Sequence, residues 1–480
     1  MLLNKLLSEL GTVNKFEDVE IDSIVCDSRK ASKNCIFVCI KGKNDDGHDK
    51  AAEALENGAV AIVCEKDIGL KNQIIVPNTR KAYAVLCAAI RGYPSRKLKL
   101  IGVTGTNGKT TTTFIIKNIL KKAGYKVAVI GTIRNEIDDI ILPASHTTPD
   151  ANDLNDLFLQ MVSKKCDYVV MEASSHALDQ YRLYGCEFAA CIFTNLTQDH
   201  LDYHKTMENY FSAKKRLFDG ARISVINYDD PYGRRLARGV GGRVLTYSVW
   251  DDNASFTAKN IELRKNAVRF LIVGISFIEK IEIPMIGMFS VSNTMAAAIC
   301  CLALGISKDS VVKGLTTCEG VRGRAEVIRT NTDYTVICDY AHTPDGLKNI
   351  LEAVSEFSVG RVVVLFGCGG DRDVSKRPKM AMAAAKYADF VILTSDNPRS
   401  EDPQKIINEA EKGLSDSNTP YKIIVDRYEA IKWALENSKP DDILVLAGKG
   451  HEDYQILKNG ITHFDEREIV FKILENKTEG

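Results

Sequence analysis

The sequence predicts an α/β protein of three domains, and three observations carry that prediction. At residues 98–113, LKLIGVTGTNGKTTTT, a short apolar run (100–103) enters a glycine-rich turn, and a helical pattern (110–120) leaves it. From Tyr334 onward, apolar runs alternate with helical stretches, the pattern of a parallel, doubly wound sheet. With 480 residues and 45% apolar content, the chain can fill about three packed cores.

Charge and composition exclude several classes. Basic and acidic residues balance at 63 each, so nothing asks for nucleic acid or an anionic membrane. The longest apolar run, 295–306, is too short to span a bilayer. Residues 1–10 carry Lys5 and Glu9 in a helical pattern unlike a signal peptide. Thirteen cysteines lie scattered through apolar segments with no C-x-x-C, and read as small core residues in a reducing, cytoplasmic compartment.

The first domain, 1–97, reads as a small α/β unit. Strands are expected at 23–26, 35–40, 60–64 and 74–76, with helices at 49–57 and 79–90. Gly92-Tyr93-Pro94 ends the second helix, and 95–99 reads as a polar linker. The loop Asp27-Ser28-Arg29 suits an ordinary Asx or Ser turn as well as it suits a ligand contact.

The second domain, 98–324, opens on the glycine-rich loop. A strand, a tight glycine turn and a helix N-terminus make an anion cradle of backbone N–H groups. Lys109 can reach the outer phosphates of a nucleoside triphosphate, and Thr110 can place its hydroxyl on Mg²⁺. The spacing departs from G-x-x-x-x-G-K-[ST], because Val103 stands where the first glycine belongs and Gly102, Gly105 and Gly108 precede Lys109. A strand follows at 126–132, and 145–149, SHTTP, opens a helix. The run DYVVMEASS (167–175) is a strand ending in Glu172, which either faces solvent or holds Mg²⁺ beside the phosphates. The strand 188–194 delivers TNLTQDH to the same edge, where His200 is either structural or a metal ligand.

In the helix 206–218, Lys214 has Tyr210, Phe211, Leu217 and Phe218 three and four residues away, which puts it on the apolar face. Such a lysine either snorkels or functions with a shifted pKa, whereas Lys215 can reach water. Strands at 243–249, 254–273 and 281–286 and helices at 292–304 and 308–316 complete the domain.

The third domain, 325–480, carries strands at 334–338, 361–366, 390–394, 422–425 and 443–446, with helices starting near Asp345, Lys376, Pro403 and Tyr428. In such sheets ligands lie beyond the carboxyl ends of the strands. The loops there are DYAHTPD (339–345), GCGGDRD (367–373), SDNPRSEDP (395–403) and AGKGHEDYQ (447–455). Convergence of the four makes a pocket for something small, charged and zwitterionic.

Taken in order, GTNGKT (105–110), TTP (147–149), MEASSH (171–176), TNLTQDHLDYH (194–204), YFSAK (210–214), GRAE (323–326), DYAHTPD and GCGGDRD resemble the Mur ligases of peptidoglycan synthesis. The match spans nearly the whole chain, with Asp27-Ser28-Arg29 in the first domain. Asp396-Asn397-Pro398-Arg399 and Gly448-Lys449-Gly450-His451-Glu452 are similar to the members that add meso-2,6-diaminopimelate. The resemblance implies a UDP-binding first domain, a central P-loop ATPase domain and a Rossmann-like third domain for the incoming amino acid. It also implies ATP and Mg²⁺, the substrates UDP-N-acetylmuramoyl-L-alanyl-D-glutamate and meso-2,6-diaminopimelate, and an acyl-phosphate intermediate. A monomer without membrane insertion is expected.

The family's residue roles fall as follows by the same resemblance. Gly105, Thr106, Asn107, Gly108, Lys109, Thr110, Thr111, Asn293, Arg324 and Asp339 belong to the ATP site. Thr110, Glu172, His200 and a carbamylated Lys214 belong to the metal sites, and Lys109, Glu172, His200 and Lys214 to catalysis. Ser28, Thr147, Thr148, Ser174, Gln180 and Arg182 serve the UDP-muramoyl dipeptide. Arg372, Asp396, Asn397, Pro398, Arg399, Gly448 and Glu452 serve diaminopimelate, Arg399 offering a planar fork to the far carboxylate. His176 gains no role. Lys43-Asn44-Asp45 and His146 depart from some relatives. Alternatives are a lysine-adding Mur ligase, a folylpolyglutamate synthetase, or a P-loop switch protein.

Overall fold

The computed structural model describes all residues except 12–15, 43–44, 145, 265–266, 276, 416 and 479–480. Of the departures noted above, Lys43 and Asn44 therefore lie outside the described residues. The chain forms two compact units. One comprises Met1–Thr104, Tyr125–Cys191 and Ser212–Ser224; the other comprises Gly105–Gly124, Ile192–Phe211 and Val225–Gly480.

The first unit begins with four parallel strands in chain order, Ser23–Val25, Cys35–Val38, Ala59–Cys64 and Gln73–Ile75. The helix Thr79–Ile90 starts where Asn78 caps the Lys81 amide, and it buries Ala82, Leu86 and Ala89 in the core behind the sheet. The expected helix 49–57 is shorter, Ala51–Glu56, because a 3₁₀ turn, Gly47–Lys50, precedes it under an Asp46 cap. The expected polar linker is a 3₁₀ turn, Pro94–Lys97, that buries Ser95. Next in this unit, Lys99–Thr104 pairs in parallel with Tyr168–Glu172, which pairs in parallel with Val127–Ile130. An antiparallel hairpin, Asn135–Ile137 and Ile140–Leu142, extends that edge. Its strands are three residues long, too short to show alternation in the sequence.

In the second unit the helix Lys109–Lys122 packs against the helices Met288–Ala303 and Lys308–Thr316. The apolar stretch 254–273 folds into two antiparallel strands, Phe256–Leu263 and Val268–Gly274, and Phe277–Ile283 pairs with the second. The helix Pro231–Gly239 was not expected from the pattern. It rests on local chemistry, the Asp230 carboxylate accepting from the Tyr232 and Gly233 amides with Pro231 at the first position.

The C-terminal sheet bears out the doubly wound expectation. Its order is Glu326–Ile328, Thr335–Asp339, Ile443–Ala447, Val362–Phe366, Phe390–Leu393 and Tyr421–Ile423, parallel throughout except for the first strand. Parallel strands send their carboxyl ends to one edge, so the four charged loops gather there. The C-terminal helix Glu466–Thr478 and the hairpin Tyr454–Leu457 with Gly460–His463 complete this region. All thirteen cysteines are free thiols and eleven are buried, as small core residues should be. Among the described residues no helix is long and apolar enough to cross a membrane.

Candidate active site

The phosphate-type loop belongs to the second unit, and its glycines are there for space. Gly108 has φ +85°, and a Cβ on it would strike the Asn293 amide; a Cβ on Gly105 would strike the Thr194 hydroxyl. Lys109 Nζ folds back on the loop, donating to Gly105 O at 3.0 Å and Thr106 O at 2.7 Å. Thr110 is buried, and Arg324 Nη2 donates to its hydroxyl at 3.2 Å. Asn293 Oδ1 accepts from Thr112 Oγ1 at 3.4 Å. Thus Asn293 and Arg324, far away in sequence, are brought to the loop. Asp339 lies at the end of its strand and accepts from the Ala325 amide at 2.6 Å; burial pushes its carboxyl up, against the pull of Arg324.

Residues that sequence reasoning missed surround the same loop. Asp345 Oδ2 accepts from Asn107 Nδ2 at 2.8 Å, from Thr197 Oγ1 at 3.2 Å and from Asn349 Nδ2 at 3.2 Å. Asn195 Oδ1 accepts from the Asn107 amide at 2.9 Å. His200 adopts the left-handed conformation at φ 52°, its Nε2 3.4 Å from Asp199 Oδ2. Asp199 is buried and ion-paired to Lys376. Burial opposes its ionisation, but His200, Lys376 and His342 together hold its carboxyl well below the usual range. Asp345 stood in a loop already picked out for its charge; Asp199 and Lys376 had no local signal to separate them from surface charge.

In the first unit five of the six predicted dipeptide residues form one hydrogen-bonded cluster around Glu172. Thr132 donates to Glu172 twice, from its amide to Oε1 at 2.9 Å and from its hydroxyl to Oε2 at 3.0 Å. Thr132 and Thr147 share a hydroxyl contact at 3.1 Å. Thr148 Oγ1 donates to Glu172 O at 2.7 Å and accepts from the Ser174 amide at 3.0 Å. Arg182 donates to Thr148 O at 2.7 Å and, through two nitrogens, to Gln180 Oε1. Glu172 is buried, so the reading of it as a solvent-facing strand end does not hold. Ser28 is buried and its carbonyl accepts from Asn57; no hydrogen bond joins it to the Glu172 cluster among the described residues. Lys214 is 1% exposed, with Leu217 and Phe218 also buried, while Lys215 is half-buried. Snorkelling is therefore not its solution.

Polar side chains of the strand-end loops of the C-terminal sheet meet where the pocket is expected. Lys449, fully buried, places Nζ 3.0 Å from Glu452 Oε2, 3.1 Å from Asn397 Oδ1 and 3.6 Å from Asp396 Oδ1. Asn397 Nδ2 donates to Glu452 Oε2 at 2.9 Å. Asp396 Oδ1 is buried and accepts no hydrogen bond among the described residues. Arg399, with φ 55°, is half-buried; its Nη1 donates to Gly370 O at 2.7 Å. Pro398 is buried beside it. Arg372 is exposed, and its Nη1 donates to the neighbouring Asp371 carbonyl at 3.3 Å. Beside the pocket, His451 has its imidazole pKa pushed down to about 3, by burial first and then by Arg324, Arg467 and Arg322.

Similarity to known proteins agrees with this geometry. Residues 20–91 match the Mur ligase family catalytic domain, 103–301 the Mur ligase middle domain, and 323–450 the Mur ligase glutamate ligase domain. A UDP-N-acetylmuramoyl-L-alanyl-D-glutamate–2,6-diaminopimelate ligase of Caldanaerobacter subterraneus subsp. tengcongensis is 46% identical over 461 residues, 95% of each chain. The ligase of the same name from Clostridium botulinum is 45% identical over 484 residues, 99% of this chain and 100% of its own. A solved structure of an enzyme of that name is 34% identical, with a TM-score of 0.68 over 95% of each chain. With near-complete coverage at this identity, the chain belongs to the Mur ligase family.

Proposed function

We propose that this ligase adds meso-2,6-diaminopimelate to UDP-N-acetylmuramoyl-L-alanyl-D-glutamate, with ATP cleaved to ADP and phosphate. The single observation that carries the reading of this region as an amino-acid site is Asp396. A buried carboxylate oxygen with no hydrogen bond, beside Lys449 and Glu452, asks for a ligand ammonium, and Arg399 nearby suits a carboxylate. The names of the similar proteins support the same substrates. The chain is read as three domains, 1–97, 98–324 and 325–480, and a cytoplasmic location fits a UDP-linked substrate.

In the first step a carboxylate oxygen of the D-glutamyl residue attacks the γ-phosphorus and ADP leaves. In the second, the diaminopimelate amine attacks the acyl carbon, loses its proton, and phosphate departs. Lys109 exchanges its loop carbonyls for the outer phosphates and neutralises their charge. Arg324 and Asn293 fix the nucleotide from the far side of the loop. Thr147, Thr148, Ser174, Gln180 and Arg182 hold the dipeptide, and Ser28 contacts the UDP end.

Mg²⁺ prefers oxygen donors, and the residues present fit it. Glu172 is a buried carboxylate that accepts from Thr132, and Thr110 is a buried hydroxyl. The resemblance to the family adds a further anion to this set. A carbamylated Lys214 would supply it and His200 would join the ligands; Mg²⁺ held there would neutralise charge on the transferring phosphoryl group. Lys214→Ala should abolish ligation in a folded protein, with partial rescue by added formate or acetate. Full activity of that variant removes the carbamate from the reading.

An amino-acid incorporation assay tests the whole. ADP release should require both the UDP-muramoyl dipeptide and an amino acid, with meso-diaminopimelate preferred to lysine and ornithine by up to about 10⁴-fold. In Arg399→Ala that preference should collapse. Equal kcat/KM for lysine in the unmodified enzyme refutes the assignment.

A further inference from the structure

Two buried charges in the C-terminal sheet play no part in the mechanism above. Arg427 opens the helix Arg427–Asn437 and Glu466 opens the helix Glu466–Thr478, and both side chains are 0% exposed. Arg427 Nε donates to Glu466 Oε1 at 2.9 Å, and Nη2 lies 2.8 Å from the same oxygen. The rest of the fork faces backbone. Nη1 donates to Ser395 O at 3.2 Å and Nη2 to Ala447 O at 2.8 Å.

Those two carbonyls immediately precede Asp396 and Gly448. Their strands, Phe390–Leu393 and Ile443–Ala447, are not neighbours, because Val362–Phe366 runs between them. The ladder sets their spacing only through that middle strand, whereas Arg427 ties the two ends directly. The C-terminal helix braces the same corner. Glu466 Oε2 accepts from Cys338 Sγ at 3.3 Å, and Arg467 Nη1 donates to Gly450 O at 3.0 Å.

Stability alone does not account for the pair. A buried ion pair pays heavy desolvation, and well-packed apolar replacements are often as stable. What an apolar pair cannot supply is a planar fork holding two carbonyls at a set distance.

We infer that Arg427 and Glu466 are positioning residues for the amino-acid substrate, a strut that sets the spacing between the loop of Asp396 and Arg399 and the loop of Gly448 and Glu452. This rests on the reading of that pocket as the diaminopimelate site. A misplacement of about 1 Å can cost ~10²-fold in rate, so loosening the strut should show in the amino acid and not in the nucleotide.

The test is the double variant Arg427→Met with Glu466→Leu, which removes both buried charges and keeps bulk. It should fold, with KM for diaminopimelate raised about tenfold or more and the diaminopimelate-to-lysine ratio of kcat/KM lowered to match, while KM for ATP stays within about twofold. Amide hydrogen exchange should quicken at 395–399 and 448–452 and stay unchanged at 339–345. Arg427→Lys, which keeps the charge and loses the fork, provides the same readouts should the double variant not fold. A folded variant with unchanged KM, unchanged ratio and unchanged exchange overturns the inference. If the unmodified chain adds no amino acid at all, the proposed activity fails, and the exchange pattern still decides for or against the strut.

Discussion

Lys109 and Lys449 are both ammonium groups in glycine-rich loops, held in opposite ways. Lys109 donates to the carbonyls of Gly105 and Thr106, within its own turn. Lys449 is fixed by Asn397, 52 residues away, by Glu452, and by the Asp396 carboxylate at 3.6 Å. Neutral carbonyls are easily given up for phosphates. Buried carboxylates are not, because their charge would be left without compensation. The glycine-rich loop thus holds its lysine by neutral groups, and the loops around Asp396 hold theirs by charge.

The most severe way to break that contrast is Lys109→Ala. Loss of the cation facing the outer phosphates should lower kcat by about 10³-fold with no change in melting temperature. Retained ATP-dependent ligation would place the nucleotide elsewhere. Lys449→Met should behave the other way round. Stability should fall by about 3–5 kcal/mol in urea titrations, since two carboxylates lose their common cation, and KM for the amino acid should rise while KM for ATP holds. Unchanged stability would mean that the pocket carboxylates do not need that charge.

The smallest effect is one of pH. His451 titrates near 6.5 when unfolded but only at about 3 in the native protein. Between those values the unfolded state holds one more proton, so stability is complete above about pH 6.5 and declines as the pH falls, by about 1.4 kcal/mol per unit. His451→Gln should flatten the acid slope between about pH 6 and 4 relative to the unmodified protein. An identical slope in both would show that the native imidazole is not held neutral.

Much of this could be read from the residues. Lys214 was legible because four large apolar neighbours at helical spacing leave a lysine no polar side to face. The helices Thr79–Ile90 and Lys308–Thr316 run where the pattern put them, each under a side-chain cap. Short elements were lost: the hairpin at Asn135–Leu142 and the helix Pro231–Gly239 carry too few periodic residues to stand out from loop. Asp199 and Lys376 were invisible for a different reason. Each is an ordinary charge in sequence, and only their pairing across 177 positions marks them.

By itself, then, the sequence determined whatever depends on neighbours within a few residues. That covers the strand–glycine loop–helix cradle, the parallel alternation of the third domain, and the buried side of the Lys214 helix. Backbone sterics, helical period and capping act at that range. The tertiary structure alone decided which charges are spent on one another. Lys449 meets Asp396 because parallel strands deliver distant loops to one edge, and Arg427 meets Glu466 although 39 positions separate them. Charge compensation in a buried site depends on distance in space, which separation along the chain does not encode.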